Sequence, residues 1–330
     1  MSPTYAIAIH GGAGTIARST MTEERAALYH TALRDILEAG RRILADGGSA
    51  LDAVTEAVVR LEDCPLFNAG HGAVLTADAT HELDACVMDG RTLGAGAVAS
   101  VARVRNPVRA ARVVMEQSGH VLMAGDGAER FLSANGVALV DPGYFTTPDR
   151  LDQLRRAQAA GVGMLLDHDG ASKAAASGNG TGNSKGDPID PDRKFGTVGA
   201  VALDLSGNLA AATSTGGMTN KRPGRVGDTP IVGAGCYANN ATVAVSTTGT
   251  GESFIRAVSA YDVSALMEYT GVGLEEATRR VVMDKLPRVD GRGGLVAVDR
   301  FGNVALPFNT EGMYRGVARA GEDTVTAIYE

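Results

Sequence analysis

The stretch KFGTVGAVALD, Lys194 to Asp204, decides how the rest of the chain is read. Its small and β-branched apolar residues read as a buried strand that starts on Thr197, directly after a Gly-Thr step. The tract before it, Asp167 to Lys194, holds Gly, Ser, Asn, Asp and Lys with almost no large apolar residue. Such a tract buries too little surface to offset its ordering entropy, so 167–196 reads as a flexible linker. A structureless segment this long inside a compact chain points to a function or to processing.

A threonine in that position has a chemical use. A hydroxyl is a weak nucleophile until a base takes its proton, and a threonine at a chain terminus carries its own base in the free α-amino group. That group has an unperturbed pKa of about 7.7 to 8.0, close enough to neutrality to act as a general base. An internal threonine gains it only if the chain is cut before it. Gly196 supplies the permissive backbone for a distorted scissile bond, and the β-branched Thr197 holds its hydroxyl in few rotamers. Composition alone leaves the alternative open, an ordinary strand after a flexible loop.

Working outward, YAIAI (5–9) reads as a short buried strand and HGGAG (10–14) as a turn. A long amphipathic helix follows, with Thr20 and Glu23 spaced as a capping box and Gly47-Gly48 as its end. Ser49 caps a second helix carrying Leu51, Val54, Val58 and Leu61 on one face. CPLFNAGHGAVLT is a loop leading into a strand, and strands follow near 82–88 and 95–101. Asn106-Pro107 opens another helix, and further helices are expected at 127–135 and 148–160. After the linker, TVGAVALD and LAAATST form one hairpin across LSGN, and GLVAVD and NVALPF another across RFGN. ATVAVST is a strand, with helices at 252–269 and 273–285. Helices at the margins and strands in the middle predict an α+β layered sandwich.

Several function classes are disfavoured. A formal charge of −7 and a pI near 5.5, without clustered Lys and Arg, argue against a nucleic-acid surface. No apolar run approaches a membrane span, and YAIAI is too short for a signal-peptide core. Cys64, Cys86 and Cys236 have neither disulfide-framework nor zinc spacing, and a reducing cytoplasm fits them. The six histidines form no metal-binding pair, and His81 and Glu82 of HELD would face opposite ways on a strand. The glycine clusters HGGAG, STGGMTN (214–220) and TTGTGE (247–252) lack the endings of a phosphate loop and the spacing of a dinucleotide fingerprint. No catalytic metal or cofactor is expected. Arg225 and Asp228 of PGRVGD do suit a zwitterionic amino-acid end, a guanidinium fork for the α-carboxylate and a carboxylate for the α-ammonium.

The segment GTVGAVALDLSGNLAAATSTGGMTNKRPGRVGDTPIVGAGCYA, 196–238, closely resembles the plant-type asparaginases, also called isoaspartyl aminopeptidases, of the N-terminal nucleophile hydrolases. IHGGAGT near the start, GGSALDAVTEAVVRLEDCPLFNAGHGAVLT at 47–76 and STTGTGE at 246–252 extend the resemblance over most of the chain. It implies one hydrolase domain, 1–330, with a four-layer αββα sandwich fold. It also implies self-cleavage between Gly196 and Thr197 into an α chain, 1–196, and a β chain, 197–330. Thr197 would be the nucleophile, and Thr215 a second threonine beside it. Thr248 and Gly249 would form the oxyanion hole, and Asn68 would be the active-site asparagine. Arg225, Asp228, Thr248, Gly249 and Gly251 would bind substrate. The loop 61–71 resembles one whose carbonyls, here those of Leu61, Glu62, Cys64, Phe67, Ala69 and His71, hold a structural sodium ion. The implied substrates are isoaspartyl dipeptides and L-asparagine, and the implied assembly is a cytoplasmic dimer of αβ units. A glycosylasparaginase-like amidase, or an uncleaved small-molecule-binding relative, stands as the alternative.

Overall fold

The computed structural model describes residues 4–159, 161 and 196–330; apart from Gly196, the expected linker lies outside them. The strands are β1 (Ala6–Gly14), β2 (Leu83–Asp89), β3 (Gly94–Val101), β4 (Leu122–Ala124), β5 (Val198–Leu203), β6 (Leu209–Thr215), β7 (Cys236–Ala238), β8 (Val243–Gly249), β9 (Gly293–Asp299), β10 (Val304–Ala305), β11 (Gly312–Arg319) and β12 (Val325–Ala327). They form an eight-stranded sheet in the order β12-β11-β1-β5-β6-β2-β3-β4 and a four-stranded sheet in the order β10-β9-β8-β7. The helices are α1 (Glu23–Ala45), α2 (Ala50–Asp63), α3 (Pro107–Gln117), α4 (Gly125–Ala134), α5 (Pro148–Ala159), α6 (Gly251–Ala257), α7 (Ser259–Thr270) and α8 (Leu274–Arg279).

Alternation along each strand sets what packs where, because successive side chains point to opposite faces. On β5, Val198, Ala200 and Ala202 join Ile7 and Ile9 of β1 in a core with Leu33 and Leu37 of α1 and Val54 and Val58 of α2. Val201 and Leu203 point the other way, with Ala6 and Ala8, onto Ala244, Val296 and Val298 of the smaller sheet. Val243 and Val245 of β8 then face outward onto Phe254, Val263 and Ala277 of α6–α8. The fold is therefore mixed α and β, with the two sheets face to face. No helix among the described residues is long and apolar enough to cross a membrane.

Both hairpins form as expected, β5 with β6 and β9 with β10, although β10 is only Val304–Ala305. The strand near 95–101, the helix after Asn106 and those near 127–135 and 148–160 also form. Ser49 caps α2, its Oγ accepting from Asp52 N at 3.1 Å. Three details differ from expectation. The cap of α1 is Thr22, whose Oγ1 accepts from Arg25 N, rather than the expected Thr20. HGGAG is not a turn but the end of β1, bent by a register shift between His10 and Gly12. The helix expected at 252–269 breaks at Val258, which takes φ 50° as the amides of Ala260 and Tyr261 bond to the carbonyls of Ala234 and Gly233. CPLFNAGHGAVLT is a loop as expected, with a single bridge from Thr76 to Lys221.

This architecture brings several of the expected site residues to one end. In the antiparallel β5–β6 pair Val198 faces Ser214, so Thr197 and Thr215 lie at the same end of the hairpin. Thr248 and Gly249 finish β8 in the facing sheet.

Candidate active site

Thr197 stands at the head of β5 and is 6% exposed. Its Oγ1 is 3.3 Å from Thr229 Oγ1. Its carbonyl oxygen is 2.9 Å from His10 Nδ1. The residue before it is enclosed. A side chain on Gly196 would collide with Thr248 Oγ1, which also accepts from Ala13 N at 3.3 Å. A side chain on Gly12 would come within 2.9 Å of Gly196 N and 3.0 Å of its carbonyl oxygen. The glycines of HGGAG thus let β1 approach the Gly196–Thr197 step closely.

Thr215 Oγ1 accepts from Gly217 N at 2.9 Å, and Gly217 O accepts from Asn68 Nδ2 at 2.8 Å. Asn68 Oδ1 in turn accepts from Val74 N at 2.9 Å, and the residue is wholly buried. Both polar atoms of its amide therefore brace the 68–74 loop against the turn after β6. Gly249 has φ 149°, and a side chain there would strike Arg292 O. Only glycine can follow Thr248 at this point.

Arg225, Asp228 and Gly251 come together. A methyl at Gly251 would stand 2.7 Å from Arg225 Nη2 and 3.0 Å from Asp228 Oδ1. Because Asp228 directly precedes Thr229, these groups lie one residue from the hydroxyl that meets Thr197. Asp228 is buried, which raises its pKa to about 6 against the opposing effects of a 2.7 Å bond from Thr247 Oγ1 and the Arg225 charge. Arg225 is not free: its Nε and Nη2 each reach the Glu252 carboxylate at 3.0 Å.

Four residues of this region escaped the sequence reading. Thr229 and Glu252 sit inside quoted motifs, but nothing in a motif says which hydroxyl or carboxylate will face a given partner. Glu82 of HELD lies just before β2, and its two carboxylate oxygens accept from Gly224 N at 2.9 Å, pinning the residue before Arg225. Lys221, wholly buried, donates to Glu82 O at 2.8 Å. His81, the other HELD residue questioned as a ligand, instead bonds Val74 O and Thr146 Oγ1. The side chain of His71 bonds Tyr144 O.

The 61–71 loop folds back so that His71 N donates to Glu62 O at 2.7 Å, with Gly70 at φ 49°. At Gly72, a methyl would stand 2.8 Å from Phe67 O and 2.9 Å from Pro65 O, so carbonyl oxygens converge here. Uncharged oxygen donors of this kind suit a hard cation. Beneath the loop, Glu62 is wholly buried, its Oε1 accepting from Val108 N and Ser214 Oγ. Burial raises its carboxyl to about 8.

A family of asparaginases has a sequence profile that matches residues 3–328. The chain belongs to the asparaginase family. Membership runs nearly end to end, so the likeness first read from the motifs around Thr197 holds for the whole chain. Within the family it is 62% identical over 323 residues to the isoaspartyl peptidase of Salmonella typhimurium, covering 98% of each chain. It is 61% identical to that of Escherichia coli, covering 98% of this chain and 95% of the relative. A plant member, the probable isoaspartyl peptidase/L-asparaginase 2 of Arabidopsis thaliana, is 41% identical over 99% of both chains.

Proposed function

We propose that this asparaginase-family chain is a self-processing threonine amidohydrolase that hydrolyses isoaspartyl (β-aspartyl) dipeptides and L-asparagine. The observation that carries the reading is the setting of Thr197, a buried hydroxyl that heads a strand after a glycine held by Gly12, Ala13 and Thr248. The names borne by relatives at 61–62% identity support the substrate class.

In the continuous chain the nitrogen of Thr197 is an amide. Attack of Oγ1 on the Gly196 carbonyl breaks the peptide C–N bond, the Oγ1 proton passing to the nitrogen, which frees the α-amine and leaves an ester; water then hydrolyses the ester to release Oγ1 and the Gly196 carboxylate. The chain is then a single hydrolase domain in two pieces, 1–196 and 197–330. In the mature enzyme the amine takes the Oγ1 proton as Oγ1 attacks the side-chain carbonyl of the substrate. The Thr248 hydroxyl and the Gly249 N–H receive the charge on the tetrahedral oxygen, a role whose loss typically costs about 10²- to 10³-fold in rate. The leaving amine departs with the proton, and water cleaves the β-aspartyl ester to release aspartate. Arg225 takes the substrate α-carboxylate, Asp228 takes its α-ammonium, and Gly251 leaves room between them. Thr215 borders the nucleophile, and Asn68 acts as a brace.

The facing sheets with helices packed on their outer faces are read as the four-layer αββα sandwich. The carbonyls of Leu61, Glu62, Cys64, Phe67, Ala69 and His71 would hold a structural sodium ion that shapes the loop bearing Asn68. The reaction as written uses no cofactor and no catalytic metal. The working form is read as a cytoplasmic dimer of αβ units.

The test is the intact mass of the purified chain, with N-terminal sequencing of its fragments and a Thr197→Ala variant. Two pieces are expected, one beginning Thr-Val-Gly-Ala, with the variant uncleaved and inactive. A variant that hydrolyses β-Asp-Leu at the parental rate would sink the reading.

A further inference from the structure

His10 is wholly buried opposite Gly199 of β5, at the last regular position of β1 before the register shift. Its Nδ1 meets Thr197 O at 2.9 Å and its Nε2 meets Ser246 Oγ at 2.8 Å. Ser246 Oγ lies 2.8 Å from Thr213 Oγ1. What each atom can do assigns the protons. A carbonyl oxygen only accepts, so Nδ1 carries the hydrogen. Burial takes the ring down to about 3, only partly countered by the bond to Thr197, so the imidazole is neutral and Nε2 is bare. Ser246 therefore donates to Nε2. The Thr213 hydroxyl proton is within reach of two acceptors, Ser246 Oγ at 2.8 Å and Gly235 O at 3.1 Å. Ser246 donates to His10 and His10 to Thr197 along one line, and such lines strengthen one another.

We propose that His10 is a positioning residue for Thr197: its Nδ1–H, with the ring anchored at Nε2 by Ser246, fixes the Thr197 carbonyl and through it the direction of the Thr197 hydroxyl and nitrogen. The inference rests on the reading of Thr197 as nucleophile. Once the chain is cut, Thr197 has lost the rigid peptide plane on its N-terminal side, so its own carbonyl is the backbone handle that remains. Gly199 leaves space for the line, because a side chain there would collide with Ser246 Oγ and approach His10 Nε2 to 2.6 Å.

Two substitutions in the full-length chain separate positioning from packing. In His10→Asn the amide nitrogen can occupy the place of Nδ1 and still donate to Thr197 O. In His10→Gln the amide reaches only toward the place of Nε2. Self-cleavage is followed by mass, folding by thermal melting, and kcat and KM are measured on cleaved protein. His10→Asn is expected to keep kcat within about 10-fold, while His10→Gln loses about 10²-fold in kcat or fails to cleave, with KM little changed. Equal activity of the two at matched melting temperatures overturns the proposal. If either fails to fold, Ser246→Ala decides: it removes the anchor on Nε2, letting the ring turn away from the Thr197 carbonyl, and is expected to lower kcat at constant KM, and an unchanged kcat overturns the role. A parent chain that neither cleaves nor hydrolyses overturns the nucleophile reading, whereas an active parent with equal variants overturns the positioning role alone.

Discussion

Thr197 Oγ1 and Thr229 Oγ1 stand 3.3 Å apart, with Thr229 wholly buried. Two hydroxyls so placed share one proton direction, and the second limits how the first can rotate. Thr229→Val keeps the shape and removes the partner. It is expected to lower kcat by about 10- to 100-fold, because a reacting atom loses its alignment. Steady-state kinetics on β-Asp-Leu with a melting curve check it, and a Thr229→Val enzyme with parental kcat would remove this residue from the argument.

If the chain cuts itself as proposed, Gly196 separates processing from turnover. A methyl there would collide with the buried Thr248 Oγ1, so Gly196→Ala is expected to slow self-cleavage by about tenfold or more. After cleavage residue 196 belongs to the other piece, so the matured fraction should have near-parental kcat/KM. The time course of fragment formation measures the first effect. Cleavage as fast as in the parent would show that the enclosure of Gly196 is irrelevant to it.

The Arg225–Glu252 pair predicts how substrate is held. Glu252 takes the Nε and Nη2 side of the guanidinium, while Nη1 lies against Gly227. Arg225→Lys lacks the fork and cannot serve both carboxylates in fixed directions. KM for β-Asp-Leu is expected to rise about 10-fold or more with kcat within a few-fold, the pattern of lost uniform binding. A fall in kcat at constant KM would instead place Arg225 in the chemical step.

Asp228 predicts the acid side of the pH profile. Its raised pKa means that the folded protein favours the protonated form, so the carboxylate needed for an α-ammonium is present only above about pH 6. Accordingly kcat/KM is expected to fall as pH drops through 6, about tenfold per unit below it. Thr247→Val removes the 2.7 Å hydrogen bond that favours the charged form and should move this limb up by about one unit. A limb that does not move with Thr247→Val belongs to another group, such as the Thr197 amine.

The local rules carried well where local physics dominates. Ser49 and Pro107 marked helix starts because a cap or a missing N–H acts within one turn. They failed at HGGAG and at Val258. In the first, pairing with β11 and β5 makes a strand of a segment that glycine alone would leave as a turn. In the second, the carbonyls of a distant loop capture the amides that would have continued a helix.

By itself the sequence determined the order of strands and helices, the family, and the threonine and glycine positions around which a site can form. Those properties are written in side-chain periodicity and in contiguous motifs. Only the tertiary structure decided that Thr229 faces Thr197, that Glu252 grips Arg225, and that His10, 187 positions away in sequence, holds the Thr197 carbonyl. It also decided that Glu62, one carboxyl among many, is held near 8 while Asp228 is held near 6. The reason is the same in each case: a hydrogen-bond partner and a loss of water are set by which distant segments pack together, and neither is a property of a residue type.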